Sequence, residues 1–353
     1  MLRRILSIVA VAVVAVSGAP VAHAEDPGLT YLGKVEFPAD TSYADTLVGG
    51  LSGISYNPLD QLYYIVSDDR SEHNPARFYT ARIALSDNGI DDVQFVGTTP
   101  FGGLAADAPP DPEGIAVDPG RQRLYWSSEG ARDVQGGLLL HPRVRIAGFD
   151  GAPLGEFELL PGLRVSPDEQ GPRENKALEG LTLTPDGSAV FAAMEGPVYA
   201  DGPLPDENAG ALTRVTRYDP QTGLATAQFA YPLDPVTAGP GGDNGLSDLV
   251  ALDDGTFLVL ERGYGTHVEV RIYRAVVDGA DDVLHRPSLL GEPVRTMSKT
   301  LLADLAAIPG VDPDNVEGLT LGPVLPSGRP SVVLVADDNF SDSQTTQFLL
   351  FAL

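Results

Sequence analysis

The sequence predicts an all-β fold, a single β-propeller of five four-stranded blades closed by its N-terminal strand. Three observations predict it. A short phrase recurs five times along the chain, helical periodicity is nearly absent, and further apolar runs of strand length follow each copy of the phrase. The copies begin at Leu51, Pro112, Leu178, Leu246 and Val316, about 61 to 70 residues apart. Each is an apolar strand, a turn and a second apolar strand ending in an acid: Leu51-Ser-Gly-Ile-Ser leads to Tyr63–Asp69, and Leu178-Glu-Gly-Leu-Thr leads to Ala189–Glu195.

The remaining elements follow in order. After Tyr63–Ser67 come strands at Arg77–Ala84 and Asp92–Thr98; after Leu124–Ser128 come Arg143–Phe149 and Gly155–Leu160. Val190–Met194 is followed by Ala211–Tyr218 and Ala225–Tyr231, and Phe257–Leu260 by Val268–Val277 and a weaker run at Pro293–Met297. The last phrase, ending at Val332–Ala336, has only Gln347–Leu353 behind it, while Leu29–Phe37 is a strand without a blade. Pairing that first strand with the last removes two open edges and closes the ring. A count of six is the alternative if one long connection conceals a degenerate blade. Turns such as Asn57-Pro, Asp118-Pro-Gly, Pro185-Asp-Gly and Asp253-Asp-Gly fall where a meander needs them. The one helical candidate is Ser298–Ile308, where Leu301, Leu302, Leu305 and Ile308 share a face.

Residues 1–24 read as a secretory signal peptide. Arg3 and Arg4 precede an uncharged run from Ile5 to Val16, and Ala22-His-Ala24 is a small-x-small cleavage site. The expectation is export by a Sec-type route to the cell envelope or medium, with residues 25–353 forming one propeller domain. No other run is long enough to span a bilayer. Cysteine is absent, which excludes disulfides, thiolate metal sites and cysteine nucleophiles. With 49 acidic against 23 basic residues, a net charge of −26, the surface repels nucleic acid and favours cations.

In a propeller blade the start of the first strand and the end of the second lie at the same face of the disc. The repeats place Ser52, Glu113, Glu179, Asp248 and Glu317 at the first position. At the second they place Asp68 with Asp69, Glu129, Glu195, Glu261, and Asp337 with Asp338. About ten carboxylates from five stretches therefore converge on one mouth of the central channel. Like charges so close need a neutraliser, and calcium, which takes six to eight oxygen ligands, suits them. Its candidate ligands are Asp69, Glu113, Glu129, Glu179, Glu195, Glu261, Glu317 and Asp338. Arg70, Lys176 and Arg262 enter the same region and supply positive groups for an anionic substrate. With Glu179 they form the candidate catalytic set.

Other chemistries are poorly represented. There is no Gly-x-Ser-x-Gly elbow and no His-Glu-x-x-His zinc motif. Ser52, Asp69 and His73 offer the residue types of a nucleophilic triad without a motif to support it.

Four segments, Leu51-Ser-Gly-Ile, Arg173-Glu-Asn-Lys-Ala-Leu-Glu-Gly-Leu, Asn315-Val-Glu-Gly-Leu and Val335-Ala-Asp-Asp-Asn-Phe, resemble the bacterial phytase-like domain, "esterase-like activity of phytase". The resemblance runs from about residue 29 to the C-terminus. It implies an exported β-propeller with esterase or phosphoesterase activity. The expected function is thus a secreted hydrolase of a small anionic ester or phosphoester, with calcium at an acidic channel mouth. Its alternatives are a non-catalytic ligand- or protein-binding propeller with a structural metal, and a calcium-dependent lactonase.

Overall fold

The computed structural model describes residues 28–105 and 107–353, so the signal-peptide reading of residues 1–24 lies outside the described residues. Five four-stranded antiparallel sheets form the ring. Blade 1 holds Leu51–Asn57, Leu62–Ser67, Arg77–Ser86 and Gly89–Pro100; blade 2 holds Pro112–Asp118, Arg123–Ser128, Arg143–Gly148 and Pro153–Glu156. Blade 3 holds Leu178–Leu183, Val190–Met194, Ala211–Tyr218 and Ala225–Leu233. Blade 4 holds Gly245–Ala251, Thr256–Tyr264, Val268–Val276 and Ser298–Asp304. In blade 5, Asn315–Leu321, Ser331–Asp337 and Thr346–Ala352 are completed by Thr30–Phe37, which pairs antiparallel with the third of them from Thr30↔Ala352 to Phe37↔Thr346. No sixth blade occurs among the described residues.

The second strand of every blade is apolar on both faces because both faces are covered. In blade 1, Tyr63 and Ile65 pack toward Val333, Val335 and Phe348 of blade 5, while Tyr64 and Val66 pack toward Ile115, Leu124 and Trp126 of blade 2. The same alternation divides Val190, Ala192 and Met194 from Phe191 and Ala193 in blade 3. Such strands read as unbroken apolar runs, which is why the repeats stand out.

The first strands line the axis and pack on one another in a closed cycle. Each carries a register irregularity near its start, after Leu51, Pro112, Leu178, Leu246 and Val316. The irregularity places a glycine against the neighbouring strand. A Cβ on Gly53 would lie 2.4 Å from the Glu113 carbonyl oxygen, and one on Gly114 would lie 2.5 Å from that of Glu179. Gly180 and Gly318 are packed in the same way. In blade 4 the equivalent residue is Asp248. Its buried carboxylate accepts the N–H of Leu181 in blade 3 (3.2 Å), Leu249 (2.8 Å) and Leu319 in blade 5 (2.9 Å), tying three blades together. Hydroxyls add further ties: Ser127 Oγ donates to the Glu179 carbonyl at 2.8 Å, and Ser52 Oγ to that of Glu113 at 3.0 Å.

Three expectations about single elements are corrected. Ser298–Ile308 is not a helix: Ser298–Asp304 is the outer strand of blade 4, followed by a 3-10 turn at Leu305–Ala307 that Asp304 caps through the Ala306 N–H. Leu301, on the presumed buried face, is half exposed. The weak strand at Pro293–Met297 is instead part of a long connection that crosses to blade 3, where Val283 and Met297 donate to Gln228 and Ala230 and cover that blade's edge. The outer strand of blade 2 is Pro153–Glu156 and stops before Leu160.

The axial contacts generate a test. Asp248→Gly gives blade 4 the residue the other blades carry, yet leaves three buried N–H groups without their acceptor. A loss of roughly 3 kcal/mol or more in urea unfolding is expected; an unchanged midpoint would remove Asp248 from this role.

Candidate functional site

The mouth is built from two equivalent positions per blade. The irregularity in each first strand aims one side chain into the channel: Ser52, Glu113, Glu179, Ser247 and Glu317. The end of each second strand supplies the other: Asp68, Glu129, Glu195, Arg262 and Asp337. These stand beside Gly50, Asp111, Ala177, Gly245 and Asn315 on the first strands. Blades 1 and 4 offer a hydroxyl in the first set, and blade 4 alone departs from an acid in the second, offering a guanidinium.

The acids form three overlapping groups. One oxygen each from Asp68, Glu113 and Glu317 lie within 4.8 Å of one another, as do those of Asp111, Glu113 and Glu129, and of Glu129, Glu179 and Glu195. All but Asp68 are buried. Burial raises the proton affinity of Asp68, Asp111, Glu113, Glu129, Glu179 and Glu317. Glu113 and Glu179 are held well above the usual carboxylate range, by burial first and then by Glu179 and Glu129 respectively. Asp68 and Asp337 move the same way, with Glu317 and Asp68 as their strongest charged neighbours. Burial and Asp111 push Glu129 up to about 8. Asp111 itself rises to about 6, burial outweighing the opposing pull of Arg70.

Three cations answer these charges. Arg70 lies 2.6 Å from Asp111. Lys176 bridges Glu195 (2.9 Å) and Asp243 (2.8 Å), and Arg262 binds Glu317 at 2.8 Å with Glu195 at 3.9 Å. Burial works to lower the pKa of each, but Asp111, Glu195 and Glu317 respectively outweigh it and raise the three cations above their ordinary values. Two acceptors remain over: Asp111 Oδ1 and Glu195 Oε2 are buried and accept no hydrogen bond.

The structure thus brings Glu113, Glu129, Glu179, Glu195, Glu317, Arg70, Lys176 and Arg262 to one mouth. Asp69, Asp338 and Glu261, expected there, turn away, because adjacent residues of an extended chain point to opposite sides. Asp69 accepts the N–H groups of Glu72, His73 and Asn74 and pairs with buried Arg77 at 2.7 Å. Asp338 accepts from the N–H groups of Gly50 and Phe340 and the hydroxyl of Thr346. Glu261 accepts from Tyr231, Asn244, the Asp234 N–H and Lys299. Asp68, Arg262 and Asp337 face the channel in their stead.

Asp248 likewise yields its place at the mouth to Ser247. Aligning Leu246-Ser-Asp-Leu with Leu178-Glu-Gly-Leu reveals that offset. Asp111, Asp243 and Asn315 were not anticipated; Asp111 and Asn315 sit one residue before the phrase or at its edge, where no repeated letter marks them. A Ser52 triad does not assemble: its hydroxyl donates to the carbonyls of Pro112 and Glu113, and the His73 ring stacks on Phe340 at 4.4 Å.

The mouth is defined by chemistry rather than volume. A cavity of about 1110 Å³ lies elsewhere, between blades 2 and 3, against Leu163, Tyr199 and Arg214. A second, of about 520 Å³, occupies the opposite end of the channel among Pro58, Pro119, Pro185 and Pro323.

Solved structures similar to this chain share little sequence with it. A hypothetical protein from Leishmania major is 11% identical, with 86% of this chain and 85% of that chain covered and a TM-score of 0.44. The periplasmic gluconolactonase PpgL of Pseudomonas aeruginosa is 14% identical (87% and 90% covered, TM-score 0.39). A GH43_1 enzyme from Xanthomonas citri, solved with xylose, is 14% identical (89% of each chain, TM-score 0.45). No curated protein matches the chain. Residues 46–340 match the model of the Phytase-like family, described as "Esterase-like activity of phytase", and the chain belongs to that family.

Proposed function

We propose that this phytase-like propeller is an exported hydrolase of small anionic esters or phosphoesters, acting at the acidic mouth with calcium bound there. The observation that carries the reading is the set of three overlapping carboxylate groups with two buried oxygens left without donors. The residues fit the ion: all donors are hard oxygens, contributed by several blades, and their mutual repulsion is what a divalent cation relieves. Asp68, Asp111, Glu113, Glu129, Glu195 and Glu317 would hold it. Bound calcium supplies Lewis-acid polarisation of a phosphoryl or carbonyl oxygen and a more acidic water.

The chain's own groups do the rest. Arg70, Lys176 and Arg262 attract and orient the anionic substrate. Glu179, beside Glu129 and Glu195, is placed to donate a proton to a leaving oxygen. A binding propeller is the second reading, favoured by one fact: each of the three cations already has a carboxylate partner in the ring. No helix of the described residues is long and apolar enough to cross a membrane.

Assays of purified protein on phosphoester, carboxyl-ester and lactone substrates, with calcium and with chelator, test the reading. Turnover of at least one class, abolished by chelator, is expected, with kcat in Glu179→Gln reduced about 100-fold or more. Failure on all three classes transfers the assignment to the binding module.

The proton affinities set a second expectation. Unfolded, Glu129 ionises near 4.5; folded, it keeps its proton to about 8. Folding therefore takes up a proton between those values, and the metal-free protein loses stability as pH rises through that window, with no loss below it. Calorimetry should show Tm falling from pH 4.5 to 8 in chelator. Calcium at 100 times its Kd should restore about 2.7 kcal/mol. Chelator-insensitive melting would sink the metal.

Side-chain direction supplies a third. Asp68→Asn should raise Tm of the metal-free protein and weaken calcium binding, because it removes a repelling charge from the mouth. Asp69→Asn should lower Tm and leave calcium affinity alone, since it only weakens the partner of Arg77. The reverse pattern would show that the two carboxylates had been assigned to the wrong sides.

A further inference from the structure

The polar atoms left without partners at the mouth sort by sign and by blade. The unpaired acceptors, Asp111 Oδ1 and Glu195 Oε2, come from blades 2 and 3 and belong to the carboxylate groups described above. The unpaired donors, Ser247 Oγ and Arg262 Nε, both come from blade 4 and are likewise buried. Ser247 is 4% exposed. The two residues hold the positions that in blade 3 are Glu179 and Glu195, which bring their carboxylate oxygens within 4.8 Å of each other. By that equivalence the hydroxyl and the guanidinium share one patch of the channel wall.

We propose that blade 4 carries a docking point for one acceptor oxygen of the substrate, a phosphoryl or carboxyl oxygen, formed by Ser247 Oγ and Arg262 Nε. The proposal rests on the hydrolase reading only in calling that ligand a substrate. A guanidinium excludes a cation from this part of the ring, so metal and substrate oxygen have separate stations: acids on blades 1, 2, 3 and 5, donors on blade 4. The backbone keeps the two close. A Cβ on Gly245, the first-strand partner of Arg262, would lie 2.5 Å from Glu195 Cγ, so Glu195 sits directly over the start of the strand that carries Ser247. Arg262 is held in place from outside the docking point, its terminal nitrogen engaged by Glu317 and its Nε still available. Burial of two unpaired donors costs stability, and a ligand oxygen that accepts from both recovers it.

The test is calorimetric titration of the calcium-loaded protein with inorganic phosphate and, separately, with acetate, which distinguishes phosphoryl from carboxyl recognition. Wild type should bind at least one of them. Ser247→Ala should weaken that binding about tenfold or more, with calcium affinity unchanged and the Tm of the anion-free protein no lower than wild type, since an unpaired buried donor is removed. Arg262→Lys, which keeps a charge for Glu317 but removes the Nε donor, should weaken it as well. Binding of neither anion by wild type, or undiminished binding by Ser247→Ala, overturns the proposal. If every ester resists turnover while Ser247→Ala still loses the anion, the hydrolase reading fails and the docking point stands. If esters are turned over with KM unchanged in Ser247→Ala, the docking point fails and the hydrolase reading stands.

Discussion

Five first strands share one axis, and the space around that axis admits backbone and little else. Glycines at Gly53, Gly114 and Gly318 let neighbouring strands approach until carbonyl oxygens stand where a Cβ would go, and at Gly180 the Asp248 backbone takes that place. The local irregularity that makes this approach possible also turns the preceding residue into the channel mouth. Close packing at the centre and concentration of charge at the rim are therefore one event. The identity of the residue before each glycine decides what chemistry the rim displays.

That coupling explains the electrostatics. Carboxylates held by a rigid ring in a poorly solvated mouth cannot separate to relieve their repulsion, so they hold protons or recruit cations. The fold supplies three of its own, Arg70, Lys176 and Arg262, yet these are outnumbered by the acids they face. The outward-turned acids tell the opposite story. Asp69, Asp338 and Glu261 are matched by N–H groups, hydroxyls or cations and serve to fix loops. One carboxylate type thus performs two jobs, divided by a single step along an extended strand.

Much of this was legible before any coordinates. Second strands buried on both faces announce themselves as unbroken apolar runs, and their spacing counts the blades. The stray strand at Leu29–Phe37 pointed to ring closure, and the family resemblance implied a β-propeller. What the residues did not reveal was direction. In pairs such as Asp68-Asp69 and Asp337-Asp338, a linear reading cannot say which member faces the channel, because that depends on where the pleat begins. Ser298–Asp304 was misread for a related reason: an outer strand with one exposed face mixes leucine and polar residues in an order that also satisfies a helix. The connection before it spends apolar residues such as Val283 and Leu289 on covering blade 3, a tertiary contact that no local pattern encodes.

The seam that closes the ring has a consequence in time. Glu36 and Gln347 pair across it although 311 residues separate them. Blade 5 is incomplete until the end of the chain is available, and with it the Glu317 and Asp337 side of the mouth. Blades 1 to 4 can form as local meanders, but the last sheet and its two interfaces join distant ends and carry the largest loop-closure cost. The Asp68, Glu113 and Glu317 group, which spans blades 1, 2 and 5, is accordingly the last part of the mouth to assemble. Until Thr30–Phe37 meets Thr346–Ala352, the charges of Glu317 and Asp337 stay apart from those of blade 1, and their mutual repulsion arises only when the seam closes.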